Sequence, residues 1–147
     1  FIALVRQLNG RTNPIPLDNV SQGGLVCFVD VESGKIGPGV SFLPDWRIIR
    51  HERHPDTGVQ ITGTLIPNWN KIRSRILEMA DYLAMVPYMG WDVVITEDGF
   101  KVLEINSLPG LDIFQVDQPV LDDERIRRFY SMHIPSLRNG PSSVVHV

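Results

Sequence analysis

The chain has 147 residues, 43% of them hydrophobic, and a formal charge of −3 at neutral pH. That length supports one compact core, and the slight acidic excess gives no basic field for wrapping a nucleic acid. One cysteine excludes an internal disulfide, no apolar stretch reaches bilayer length, and no basic leader precedes the apolar run at residues 1–5, so a reducing cytoplasm is the expected setting.

Residues 2–8 read as a strand, 9–24 as a turn-rich segment and 25–31 as a second strand. Cys27 lies inside that second apolar run and reads as a small core residue, not a nucleophile. Glu32, Ser33, Gly34 and Lys35 form the next turn. From 36 to 60 a loop is expected, because Gly37, Pro38 and Gly39, then His51, Arg53, His54 and Pro55, break any period. Arg50, His51, Arg53 and His54 make a basic cluster there, read as solvated surface, and it lacks the further ligands a zinc site needs.

Pro67 then opens a helix from Asn68 to about Met85. Trp69, Ile72, Ile76, Met79 and Leu83 recur at spacings of three and four, the stripe of an amphipathic helix packed on a sheet. Pro87 closes it. Residues 92–96 and 100–106 read as the two strands of a hairpin. The run Asp122, Asp123, Glu124, Arg125, Ile126, Arg127, Arg128 passes from acidic to basic and suits a second helix with its dipole complemented. Residues 138–147, with Gly140, Pro141, Ser142 and Ser143, are expected to be a flexible tail. The fold class is α+β, a mostly antiparallel sheet with packed helices, with one domain over 1–137.

The hairpin register decides what its polar residues can do. A two-residue turn at Asp98 and Gly99 sets Asp92 opposite Ile105, on the face away from Glu104. A three-residue loop, with Gly99 left-handed, pairs Thr96 with Phe100, Val94 with Val102 and Asp92 with Glu104. Asp92, Glu104 and Asn106 then share one face. Opposed carboxylates repel unless a cation lies between them or one is protonated, and two acids with an amide oxygen suit magnesium, a hard ion held by few carboxylates plus phosphates and water.

Asp92, followed by Glu104, Ile105 and Asn106 and then Ser107, Leu108, Pro109 and Gly110, resembles the metal-binding hairpin in the C-terminal lobe of ATP-grasp enzymes. Leu17 to Gly24, the segment His54, Pro55, Asp56, Thr57, Gly58, and Gly90-Trp91-Asp92 extend the likeness. Together they resemble the ATP-grasp proteins associated with sugar transfer and cell-envelope polysaccharide clusters, over roughly residues 3–118.

The resemblance implies Mg2+ on Asp92, Glu104 and Asn106, and ATP phosphates near Arg6, Asn19, Gly23 and Gly24. A guanidinium offers fixed paired donors, and glycines admit backbone N–H groups close to an anion. It also implies a carboxylate substrate activated as an acyl phosphate, ADP as product, and no side chain in the chain as covalent nucleophile. The family's phosphate-binding lysines and adenine-binding hinge would stand in an N-terminal lobe of the same protein, so the lobe alone is expected to be inactive, with homo-oligomerisation left open. Peptide-ligase relatives carry an Arg two residues before the first metal acid, where this chain has Gly90. A degenerate, non-catalytic nucleotide-binding or scaffold module is the alternative, and an unrelated magnesium phosphohydrolase is a third reading.

Overall fold

The computed structural model describes residues 3–7, for which only the backbone is considered, together with 24–42, 47–116 and 119–137. The chain divides into two compact units, Phe1–Ile113 and Phe114–Val147. The flexible tail expected at 138–147 lies outside the described residues.

In the first unit, strands β1 (Ala3–Gln7), β2 (Leu25–Val29), β3 (Ile36–Phe42) and β4 (Ile48–His51) form an antiparallel sheet in the order β1-β2-β3-β4. Strand β2 is central. Its sequence is correspondingly a continuous apolar run, with Val26, Cys27 and Val29 fully buried, as expected for a strand covered on both faces. Burial pushes the Cys27 thiol up to about 11, which leaves it a protonated core group at neutral pH.

The loop expected at 36–60 is not one: β3 and β4 occupy much of it. Gly37 and Pro38 are period breakers by residue type, yet they lie inside β3 where the register against β2 shifts. Val26 pairs with Val40 and Cys27 with Gly39, but Val29 pairs with Ile36, leaving Gly37 and Pro38 opposite the single residue Phe28. A bulge is a place where a strand tolerates proline, because the ladder does not use that N–H. Beyond β4, the segment to Ile66 is tied back by backbone bonds, Ile36 N–H to the Thr64 carbonyl, Gly63 N–H to the Ile36 carbonyl and Ile61 N–H to the Glu52 carbonyl.

Helix α1 spans Trp69–Tyr82, with Asn68 as a left-handed N-cap at φ 56°, a conformation asparagine tolerates better than most residues. It ends before Pro87, through a turn in which Leu83 and Ala84 donate to the Ala80 and Asp81 carbonyls. Trp69, Ile72 and Ile76 are buried as the stripe demands, and they close a core with Leu25, Cys27, Val29, Ile36, Ile61 and Ile66. Trp69 sets the helix in place. Its indole Nε1 donates to the Val31 carbonyl at 2.9 Å, and its ring lies where a Cβ on Gly34 would be, at a φ of +74° that itself favours glycine.

Strands β5 (Gly90–Thr96) and β6 (Gly99–Asn106) make a separate two-stranded antiparallel sheet. Val93, Ile95 and Phe100 pack against the core just described. The expected single sheet is therefore two antiparallel sheets with helices, within the same α+β class. In the second unit, helix α2 (Glu124–His133) begins at Asp123, whose carboxylate accepts the Arg125 N–H at 2.9 Å. Among the described residues no helix is long and apolar enough to cross a membrane.

Candidate metal site

The hairpin brings Asp92 opposite Glu104 and Gly90 opposite Asn106. Partners in a ladder lie on the same side of the sheet and residues two apart share a face, so Asp92, Glu104 and Asn106 stand together. That side is opposite to Val93, which turns to the core, so the three donors are on the accessible face of the hairpin; Glu104 is exposed and Asp92 and Asn106 are half-buried.

The pairing arises differently from the three-residue loop expected. Thr96 pairs with Gly99, leaving a two-residue turn of Glu97 and Asp98, and Gly99 takes φ +152°, a region glycine enters readily. Ile95 then faces Phe100, Val94 faces Lys101 and Val93 faces Val102. The register shifts between Asp92 and Val93, with Leu103 as the extra residue on β6, and only past that bulge do Asp92 and Glu104 meet. Without the bulge, the two-residue turn would set Leu103 opposite Asp92.

The ends of the two strands are joined again beyond the ladder. Tyr88 donates its hydroxyl to the Pro109 carbonyl at 2.9 Å, and a Cβ placed on Gly90 would come 2.7 Å from the Pro109 Cβ. Gly90 is therefore the residue that admits Pro109. Sequence reasoning passed over Tyr88 and Leu103; a bulge has no composition signal in an alternating strand, and a tyrosine's partner 21 residues on is visible only in the fold.

The donor set is chemically coherent for a hard divalent ion: carboxylate and amide oxygens only, on an open face. Among the described residues no three His, Cys, Asp or Glu side chains gather into a metal-binding group; the Asn106 amide lies on the same face as the two acids. Arg6, on β1, pairs with Val26 of β2, and Gly24 stands immediately before β2 and is buried. Asn19 and Gly23 lie outside the described residues.

The basic cluster of 50–54 is dispersed. Arg50 pairs with Val40, in the cross-strand row that also holds Val26 and Arg6. His51 belongs to the neighbouring row and its Nε2 lies 2.9 Å from the Ser41 hydroxyl, while Arg53 donates to the Gly58 carbonyl at 3.1 Å. His54 is not solvated surface: it is 8% exposed, and its Nδ1 accepts the Asp56 N–H at 3.2 Å.

Two antiparallel sheets with packed helices, an α+β arrangement, agree with the C-terminal lobe of an ATP-grasp fold, an ATP-binding, ligase-like module. The comparison with protein families is specific. The family model described as sugar-transfer associated ATP-grasp matches residues 7–128, and the chain belongs to that family. Neither a curated protein nor a solved structure matches the chain.

Proposed function

We propose that this chain is the magnesium- and ATP-binding lobe of an ATP-dependent carboxylate ligase acting in polysaccharide or cell-envelope metabolism. The observation that carries the reading is the Asp92–Glu104 pair with Asn106 two residues along the same face. Two like charges opposed in a ladder destabilise it, and a divalent ion held by these residues would offset that repulsion.

In this reading Asp92, Glu104 and Asn106 would hold Mg2+, which when bound would supply charge neutralisation at the ATP phosphates. Arg6, Asn19, Gly23 and Gly24 serve the phosphate end, the arginine by paired donors and the glycines by close approach of backbone N–H groups. The substrate carboxylate attacks the γ-phosphorus and the bond from that phosphorus to the ADP oxygen breaks. An amine or other nucleophile then attacks the acyl carbon, and inorganic phosphate leaves. This chain contributes positioning and electrostatics and no covalent nucleophile. Turnover requires the phosphate-binding lysines and adenine hinge that such enzymes carry in their other lobe.

Gly90 refines the substrate. Peptide-ligase relatives place an Arg there to meet the acyl phosphate; here Pro109 fills the space a side chain would need. That supports an acid other than the amino-acid type.

Calorimetry of Mg2+ and ATP binding to the whole protein, wild type against an Asp92→Asn, Glu104→Gln double variant, tests the reading. Metal-dependent binding is expected to vanish in the double variant. Binding that survives there, or is absent from folded wild type, favours a non-catalytic scaffold module instead.

A further inference from the structure

The three donors are not equally secured. Asp92 is internal to β5, with Trp91 and Val93 paired on either side. Asn106 is the last residue of β6, and its ladder partner Gly90 is the first of β5. Ladder ends open most easily, and a two-stranded hairpin has little stability of its own. A neutral amide also binds a cation more weakly than a carboxylate, so its contribution depends on being held in place. Ser107 and Leu108, which follow Asn106, are both exposed, Leu108 at 85%, and exposure leaves them little packing with which to hold it.

The segment is secured one step later. The Pro109 ring occupies the space above Gly90, with 2.7 Å from its Cβ to a Cβ built there. The Pro109 carbonyl accepts the Tyr88 hydroxyl at 2.9 Å, across the half-buried phenol. Tyr88 precedes Gly90 by two residues and Pro109 follows Asn106 by three, so the bond spans the open end of the ladder just outside the Gly90–Asn106 pair.

We propose that Tyr88, acting through Pro109, is a positioning residue that holds the Asn106 amide on the face of Asp92 and Glu104. The inference rests on the reading of those three residues as metal ligands. Outer partners that orient a ligand typically contribute 10- to 100-fold to metal affinity, and Gly90 is required because any Cβ would displace the proline that transmits the constraint.

The test is a Mg2+ titration of ATP binding on the whole protein, with metal-free nucleotide affinity and thermal stability measured alongside. Tyr88→Phe removes one hydroxyl and is expected to raise the Mg2+ requirement about 10-fold while metal-free nucleotide affinity stays at the wild-type value. Gly90→Ala, which keeps the hydroxyl and displaces Pro109, is expected to give the same signature. Unchanged metal dependence in both variants overturns the inference, as does an equal loss of metal-free binding or a Tyr88→Phe protein that no longer folds, since the bond would then serve general stability. The Asp92→Asn, Glu104→Gln variant separates the two claims. If it loses metal dependence while Tyr88→Phe and Gly90→Ala do not, the positioning role alone falls; if it retains metal dependence, the metal site falls and the positioning role with it.

Discussion

Asp92 and Glu104 face each other across the hairpin even though the residues nearer the turn are paired one step out of that register, and Leu103 is the residue that absorbs the difference. The pair is thus a product of turn and bulge together. In the absence of a cation it is a like-charge pair, which weakens a ladder, where a favourable cross-strand pair would contribute about 0.2–1 kcal/mol. Asp92→Asn is expected to raise metal-free stability by that order and to erase stabilisation by Mg2+. Thermal melts with and without the ion check both signs at once; a variant less stable than wild type without metal would contradict the repulsion.

Deleting Leu103 offers a sharper test of the register. The two-residue turn continued without a bulge places the residue after Val102 opposite Asp92, and in the deletion that residue is the glutamate. Metal-dependent ATP binding is therefore expected to survive, although one residue is lost from the strand bearing two of the proposed ligands. Cross-strand proton contacts between Asp92 and the glutamate in solution report the pairing directly, and their absence would refute the assignment of Leu103 as the extra residue.

Gly34 and Gly58 both have positive φ, +74° and +71°, but their surroundings differ. A Cβ at Gly34 overlaps the Trp69 side chain, whereas at Gly58 it meets open space. Gly58→Ala is expected to cost about 1–2 kcal/mol, the left-handed penalty alone. Gly34→Ala adds displacement of the indole that bonds the Val31 carbonyl, for a total of about 3 kcal/mol or more. Urea unfolding of the two variants measures the difference, and equal costs would mean that Trp69 moves aside freely.

Acid should loosen α2 late. The hydrogen-bonded guanidinium of Arg125 beside Asp123 holds its carboxyl down to about 2, from an ordinary 3.8. A depressed folded value means the cap's contribution is complete above about pH 4 and fades as pH falls through 2. The Asp123 carboxyl resonance should titrate near 2 in the folded protein, and in Arg125→Ala its midpoint should rise toward the ordinary value. An unchanged midpoint would separate the shift from the arginine.

What the residues determine locally is readable in order: the Trp69, Ile72 and Ile76 stripe, the apolar strand opening at Leu25, a second helix on the acidic-to-basic run from Asp122, and a hairpin with two acids and an amide. These rest on periodicity, charge order and turn chemistry, which act between near neighbours. The tertiary structure decided the rest. Gly37 and Pro38 look like breakers until β2 supplies a bulge to hold them, β4 is too short to show a period, and His54 becomes buried only because the segment from Glu52 to Ile66 is tied back toward β3. Asp92, Glu104 and Asn106 share one face of the hairpin, as the sequence led one to expect, yet their meeting depends on the Leu103 bulge. That outcome belongs to non-local pairing, in which the core takes Val93, Ile95 and Phe100 and thereby selects which face of the hairpin carries Asp92, Glu104 and Asn106 away from it.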